Sequence, residues 1–398
     1  MEMIDLISNR LGGPSFYLNS YYKFEKYSKL KESYLKENKD RFIFDFGIGE
    51  GNDLPPSDVL YTLSKECFVH KNRVYSDNGI DEFKYAASNH LKKIYNIEIK
   101  DPVNQINHCI GAKSALTILP FALIDENDVI ISTTPGYEVL ANFGSWLKAK
   151  IYKVPLLKEN NYLIDLDEIP EEIYKRCKIF SINYPNNPTG AIANKKFYEK
   201  LIKLALKYNF LIVNDAAYGP FTYKSNPLSI FSVKNAFDCA IEIHTLSKSY
   251  NMTGMRIGFV VGNEKIIDIF KKVKDNIDSG QYIPIQLAGI KALNNCDLYL
   301  DKLKKKYYDR LKNVSKILNK HNLKCNVSKG TFYLYVKVPS KFKSADELTR
   351  FLLSNAGIFT IPFDEVKPYI RLSMTFNVLT NENDFYTELD NRLNKLKY

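Results

Sequence analysis

The sequence predicts an α/β fold, and two observations carry that prediction. Short apolar runs rich in β-branched residues alternate with stretches of helical spacing through the middle of the chain. Those runs lack polar residues at every second position, which suits strands covered on both faces, as in a parallel sheet. Strand and helix alternating in this way argue for a layered core.

The strands in order are Val129-Ile130-Ile131-Ser132, Lys178 to Ile182, Phe210 to Val213, Cys239 to Ile243 and Ile257 to Gly262. Each is short and bounded by turn residues. Between them, Lys195 to Tyr208 has Phe197, Leu201, Leu204 and Ala205 on one side, the stripe of a helix packed on a core. Ile283 to His321 is rich in helix formers but too long for one compact helix, so a break is expected near Asn294-Asn295-Cys296. Beyond it, Gly330 to Val336 reads as a strand, Ala345 to Leu353 as a helix and Tyr369 to Met374 as a strand. This tail predicts a second, smaller α+β domain.

The 398 residues are enough for two or three domains without disulfides or structural metals. Apolar residues at 45% and charged residues at 25% exclude a mainly disordered chain. The net charge of +11 comes from dispersed lysines, so it implies a general attraction to anions and no nucleic-acid partner. Six cysteines lie far apart with no CxxC pair, which argues against a zinc site or redox dithiol. No apolar leader follows Met1 and no run is long enough to span a membrane, so a cytoplasmic protein is expected.

Four local features bear chemistry, and each has an ordinary structural reading. Tyr184-Pro185-Asn186-Asn187-Pro188-Thr189-Gly190 is a rigid turn after a strand, the end at which open α/β sheets bind ligands. In Leu211-Ile212-Val213-Asn214-Asp215-Ala216-Ala217-Tyr218 an apolar strand runs into an acid, which needs a partner if buried, although a helix cap would also use it. Thr245-Leu246-Ser247-Lys248 with Gly254-Met255-Arg256-Ile257-Gly258 gathers hydroxyls, an amine and an arginine, parts for holding a phosphate beside a nucleophile. The glycines follow the lysine, so this is not a P-loop. Gly111-Ala112-Lys113-Ser114 opens a helix whose free backbone N–H groups suit a phosphate, or simply close packing.

Taken in chain order, the Gly111 helix start, Pro135-Gly136-Tyr137, Asn187, Asp215 with Tyr218, Lys248 and then Arg256 resemble the fold type I pyridoxal-phosphate aminotransferases of class I/II over nearly the whole chain. Asp215-Ala216-Ala217-Tyr218, the Gly111-Ala112-Lys113 helix start and Ala240-Ile241-Glu242-Ile243-His244 are most similar to the LL-diaminopimelate aminotransferase branch. The resemblance implies a mostly parallel seven-stranded sheet in a large coenzyme-binding domain, residues 46–285. A small domain is implied from 286–398 together with an N-terminal arm, 1–45.

It also implies roles. Lys248 forms the Schiff base with pyridoxal 5′-phosphate and then serves as acid and base. Asp215 pairs with the pyridine nitrogen, Tyr218 and Asn187 with the ring's 3-oxygen, and Tyr137 stacks on the ring. Thr245, Ser247, Arg256 and the backbone at Ala112 and Lys113 hold the phosphate, with Tyr75 reaching the phosphate of a neighbouring subunit, hence a homodimer. Arg371 clamps the substrate carboxylate in two parallel bonds, and Gly49 approaches the same group. Tyr17 and Lys113 are distal contacts by position, and no metal is implied.

Asp77, Glu50 and Tyr17 motivate an amino donor with a polar or cationic side chain, although Ser76-Asp77-Asn78 and Asp278-Ser279-Gly280-Gln281-Tyr282 depart from the branch pattern. The same fold and residues also serve β-lyases, cyclases and synthases acting on amino acids. A non-catalytic sensor domain is a third reading, disfavoured by the presence of Lys248.

Overall fold

The computed structural model describes residues 3–19, 23–39, 41–378 and 380–396. Twelve strands lie among them. They are β1 Phe44–Asp45, β2 Ile106–Cys109, β3 Val129–Thr134, β4 Lys150–Pro155, β5 Cys177–Ile182 and β6 Leu211–Asp215. After these come β7 Ala240–Thr245, β8 Gly258–Gly262, β9 Tyr333–Lys337, β10 Ile358–Phe359, β11 Ile361–Phe363 and β12 Tyr369–Ser373. Seven form one sheet in the order β2-β8-β7-β6-β5-β3-β4. Within it β8 runs antiparallel to both neighbours, and β7, β6, β5, β3 and β4 are mutually parallel.

Alternate residues of these strands enter two separate cores. Val213, Ile241, Ile243 and Val260 pack with Leu116, Leu119 and Phe270 of flanking helices. On the opposite face Ile212, Ala240, Phe259 and Val261 join Leu201, Leu246 and Leu293. Burial on both faces explains why the strands read as continuous apolar runs. The edge strand β4 is exposed at Lys150, Lys153 and Pro155 and buries only Val154, so its Lys-Ile-Tyr-Lys-Val-Pro sequence gave no such run.

The helix Lys195–Tyr208 forms with the expected buried stripe, and Asn194 caps it by accepting the Phe197 N–H at 2.9 Å. The long helical stretch breaks where expected, into Ile283–Asn295 and Asp297–Lys320. The first of these packs on the helices Ser57–Glu66 and Asp81–Tyr95.

A three-stranded antiparallel sheet, β11-β12-β9, is backed by the helix Ala345–Ala356. Beside it β1 pairs in parallel with β10, so an N-terminal segment lies against the C-terminal strands. The two larger sheets meet through main chain, for the Gly330 N–H donates to the Gly190 carbonyl at 2.8 Å. Gly190 has φ +68°, and a side chain there would overlap Ser328. The consequence for function is positional. Strands β3, β5, β6 and β7 all end on one side, delivering the turns at residues 135–137, 183–190, 215–218 and 245–248 to the same edge.

Candidate active site

The turn after β5 is held by its own amides. Asn183 donates to the Asp215 carbonyl at 2.7 Å and accepts the Asn187 N–H at 2.8 Å, while Asn186 accepts from the Thr189 hydroxyl at 2.7 Å. These bonds tie the β5 and β6 ends together and leave the Asn187 side chain aimed away from its own loop. Its amide oxygen accepts from Arg371 Nη1 at 2.9 Å. The amide's N–H₂ end remains for a second partner.

Asp215 closes β6 and is buried, its carboxylate accepting the Ala217 N–H at 3.1 Å. Burial pushes its pKa up to about 6, opposed by that hydrogen bond and by His244 and Lys248. His244 belongs to a buried network on the adjoining strand, where Glu242 accepts from Asn214 at 2.9 Å and pairs with the His244 ring at 2.9 Å.

Lys248 lies in the one-turn helix Leu246–Ser249, started by Thr245, whose hydroxyl accepts the Ser247 N–H at 3.2 Å. Its ammonium donates to the Gly49 carbonyl at 2.6 Å. Burial lowers its pKa to about 8; Glu50 opposes that shift, and Arg371 and Arg256 add to it. The amine therefore feels Asp215, Arg371 and Arg256 together, so the residues that motif order singled out converge in space.

Arg256 has φ +53° and donates to the Thr253 carbonyl at 2.9 Å and the Ser247 hydroxyl at 3.4 Å. Thr245 donates to the Ser247 hydroxyl at 3.0 Å. Gly111, at φ +69°, opens the helix Gly111–Leu123, and a Cβ there would overlap the Arg256 guanidinium. That helix start carries no side-chain cap, so a basic, hydroxyl-lined cradle faces free N–H groups.

Arg371 on β12 is almost fully buried and donates Nη2 to the Gly47 carbonyl at 2.7 Å as well as Nη1 to Asn187. Its guanidinium lies over the Tyr333 ring at 4.3 Å. Tyr218 is buried, with its hydroxyl 2.7 Å from that of Tyr333. Gly49 sits beneath the same hydroxyl, where a Cβ would overlap it. Tyr137 is half-buried against the second core, and Ala112 and Lys113 lie in the first turn of their helix.

Tyr75 and Tyr17 stand apart from this group, at 82% and 69% exposure. Asp77, also exposed, is held by backbone: its N–H donates to Ser279 and its carbonyl accepts from Lys274.

Two site residues escaped the sequence reading. Tyr333 was hidden inside an aromatic strand. Gln281 donates to the Met255 and Arg256 carbonyls at 2.6 and 2.7 Å, fixing the backbone that aims Arg256. Only its place in an unpatterned segment was visible beforehand.

Pyridoxal phosphate fits this donor set. A buried carboxylate with a raised pKa wants a cationic partner, a desolvated amine stands within its field, and an uncapped helix start with Arg256 suits a phosphate. Among the described residues no His, Cys, Asp and Glu grouping could hold a metal ion, and no helix is long and apolar enough to cross a membrane.

Comparison with known proteins agrees. The sequence model described as aminotransferase class I and II matches residues 43–384. The LL-diaminopimelate aminotransferase of Methanocaldococcus jannaschii is 43% identical over 385 residues, covering 95% of this chain and 92% of that protein. Its namesake from Methanococcus maripaludis is 40% identical over 400 residues, covering 99% and 96%. Substrate-bound BacF from Bacillus subtilis superposes with a TM-score of 0.88 at 28% identity, over 96% of this chain and 97% of that one. An aspartate aminotransferase from Thermotoga maritima gives 0.85 at 25%, over 98% and 100%. The chain therefore belongs to the class I and II aminotransferases of fold type I, and is a pyridoxal-phosphate-dependent transaminase acting on amino acids and 2-oxo acids.

Proposed function

We propose that this transaminase draws its amino group from an amino acid whose side chain ends in a second ammonium and carboxylate, as in LL-diaminopimelate, and delivers it to a 2-oxo acid. Support comes from the relatives of that name at 43% and 40% identity. Glu50 adds an exposed carboxylate near enough to influence Lys248, and Lys113 a cation at the helix start.

The observation that carries the site assignment is the shared electrostatic neighbourhood of Lys248, Asp215 and Arg371. We assign Lys248 as the amine that carries the coenzyme. Bound pyridoxal phosphate supplies an electron-withdrawing ring that accepts the electron pair left when the substrate Cα loses its proton. Lys248 Nζ, with its proton affinity already lowered, takes that Cα proton, a contribution of roughly 10²–10⁴-fold for a positioned base. Asp215 holds a proton on the pyridine nitrogen. The Tyr218 hydroxyl and the Asn187 N–H₂ donate to the 3-oxygen, and Tyr137 packs on the ring face. Thr245, Ser247, Arg256 and the N–H groups of Ala112 and Lys113 bind the phosphate. Arg371, held flat by Gly47, Asn187 and Tyr333, orients the substrate by its carboxylate over Gly49. By position in the sequence, Tyr17 and Lys113 are the distal contacts we assign and Asp77 the acid, although Tyr17 and Asp77 are exposed and Tyr17 stands apart from the site within one subunit.

A homodimer completes the proposal. Phe68, Val74, Tyr75, Ile277 and Tyr282 are exposed at 89%, 54%, 82%, 55% and 44%, and their two segments are tied together. The Tyr282 hydroxyl donates to Cys67, and the Ser76 hydroxyl donates to Gln281. Such an apolar patch suits a second copy, whose phosphate Tyr75 would reach. Six free cysteines accord with a cytoplasmic setting.

A large unit at 46–285 and a small one from 1–45 and 286–398 remain our division.

The donor test is a screen with 2-oxoglutarate as acceptor. LL-diaminopimelate and lysine should support turnover well above leucine and phenylalanine. Turnover only with aliphatic or aromatic donors rejects the donor class, while release of pyruvate and ammonia without an acceptor indicates a lyase.

A further inference from the structure

Tyr333 touches three parts of the site at once: Tyr218, Arg371 and Gly49. Its side chain is 1% exposed on β9. The hydroxyl lies 2.7 Å from that of Tyr218, the ring carries the Arg371 guanidinium at 4.3 Å, and its tip covers Gly49, whose carbonyl takes the Lys248 ammonium. The preceding Phe332 meets the Tyr218 ring edge-on at 5.3 Å, so the two residues at the entry to β9 hold the ring and the hydroxyl of Tyr218. The strand itself is seated by Gly330, whose N–H reaches Gly190 in the loop that carries Asn187.

We propose that Tyr333 is a positioning residue with two separable tasks: its hydroxyl donates to Tyr218 and so directs and strengthens the Tyr218 hydrogen toward the coenzyme's 3-oxygen, while its ring holds the Arg371 guanidinium in the plane needed to grip the substrate carboxylate. This rests on the site assignment above. The physical basis is simple. A phenol that accepts one hydrogen bond becomes a better donor in the next, and a desolvated cation over an aromatic face is held in orientation as well as attracted.

The two tasks predict different losses. Tyr333→Phe keeps the ring and loses the hydroxyl. In the coenzyme-loaded enzyme the pH midpoint of the visible band should rise by roughly half to one unit, the equivalent of one hydrogen bond. kcat should fall by roughly 3–10-fold with KM for the amino donor within about twofold of the parent. Tyr333→Leu also removes the ring, so KM should rise by a further roughly 3–30-fold, the range for a buried cation–π contact. In a Tyr218→Phe background, adding Tyr333→Phe should leave the midpoint where Tyr218→Phe alone put it.

An unchanged midpoint in Tyr333→Phe, or an equal shift in the Tyr218→Phe background, overturns the hydroxyl task. Equal KM values in Tyr333→Phe and Tyr333→Leu overturn the ring task. Failure of the underlying site assignment looks different: the parent enzyme itself would then show no visible band. Thermal melting of each variant separates these effects from loss of fold, since a merely structural tyrosine would lower Tm without moving the midpoint.

Discussion

Lys248 and Asp215 are each taken out of water in a way that opposes their charge, and this makes them testable one at a time. Lys248→Ala should abolish both the visible absorbance on adding pyridoxal phosphate and all turnover; retained transamination would defeat the assignment. Asp215 makes a pH prediction. Its folded pKa of about 6 lies above the ordinary 3.8, so the native state binds more protons than the unfolded chain between those values. Coenzyme-free protein should therefore lose stability as pH rises through that window, by about 3 kcal/mol in all. Asp215→Asn should flatten that slope in urea unfolding at pH 4.5 and 7. Arg371→Ala, which removes a guanidinium already anchored at two points, should lower kcat/KM by roughly 10²–10³-fold through both constants, read in steady-state kinetics. The sequence exposed Lys248 and Asp215 because each stands where a strand gives way to a turn, where punctuation marks the position, whereas Arg371, inside β12, was reached only through the family resemblance. Tyr333 offered no such sign: within Phe332-Tyr333-Leu334-Tyr335 nothing in the order tells which ring faces the site.

At the scale of elements, the helix starting at Gly111 is the sharpest case. Its first residue has a positive φ and no room for a Cβ beside Arg256. Gly111→Ala should displace that guanidinium, adding strain of about 1–3 kcal/mol and weakening coenzyme affinity by roughly 10–100-fold in an absorbance titration. The central strands and the helix Lys195–Tyr208 were legible because burial on two faces, or on one stripe, leaves a strong pattern. Strand β4 was not, since this edge strand carries two exposed lysines and buries only Val154, and β1, β10 and β11 are too short to pattern at all. The 278–281 segment was likewise opaque, because Gln281 works through its amide on backbone carbonyls far away in sequence.

At the scale of the molecule, the patch around Phe68 and Tyr75 predicts association. Sedimentation should give a dimer, and Phe68→Asp should shift it toward monomer while lowering coenzyme affinity, since Tyr75 would lose its target. A parent protein that sediments as a monomer and still binds coenzyme tightly would remove Tyr75 from the site. This surface was the least readable part of the sequence: exposed aromatics are scattered through a tyrosine-rich chain, and only folding gathers these into one face.

The contact of Gly190 with Gly330 has a wider meaning for how such a chain can vary. A joint made of peptide groups is indifferent to what the side chains around it become. Lysine can accumulate over the exterior, as it has here, while the two halves still close upon each other in unchanged alignment.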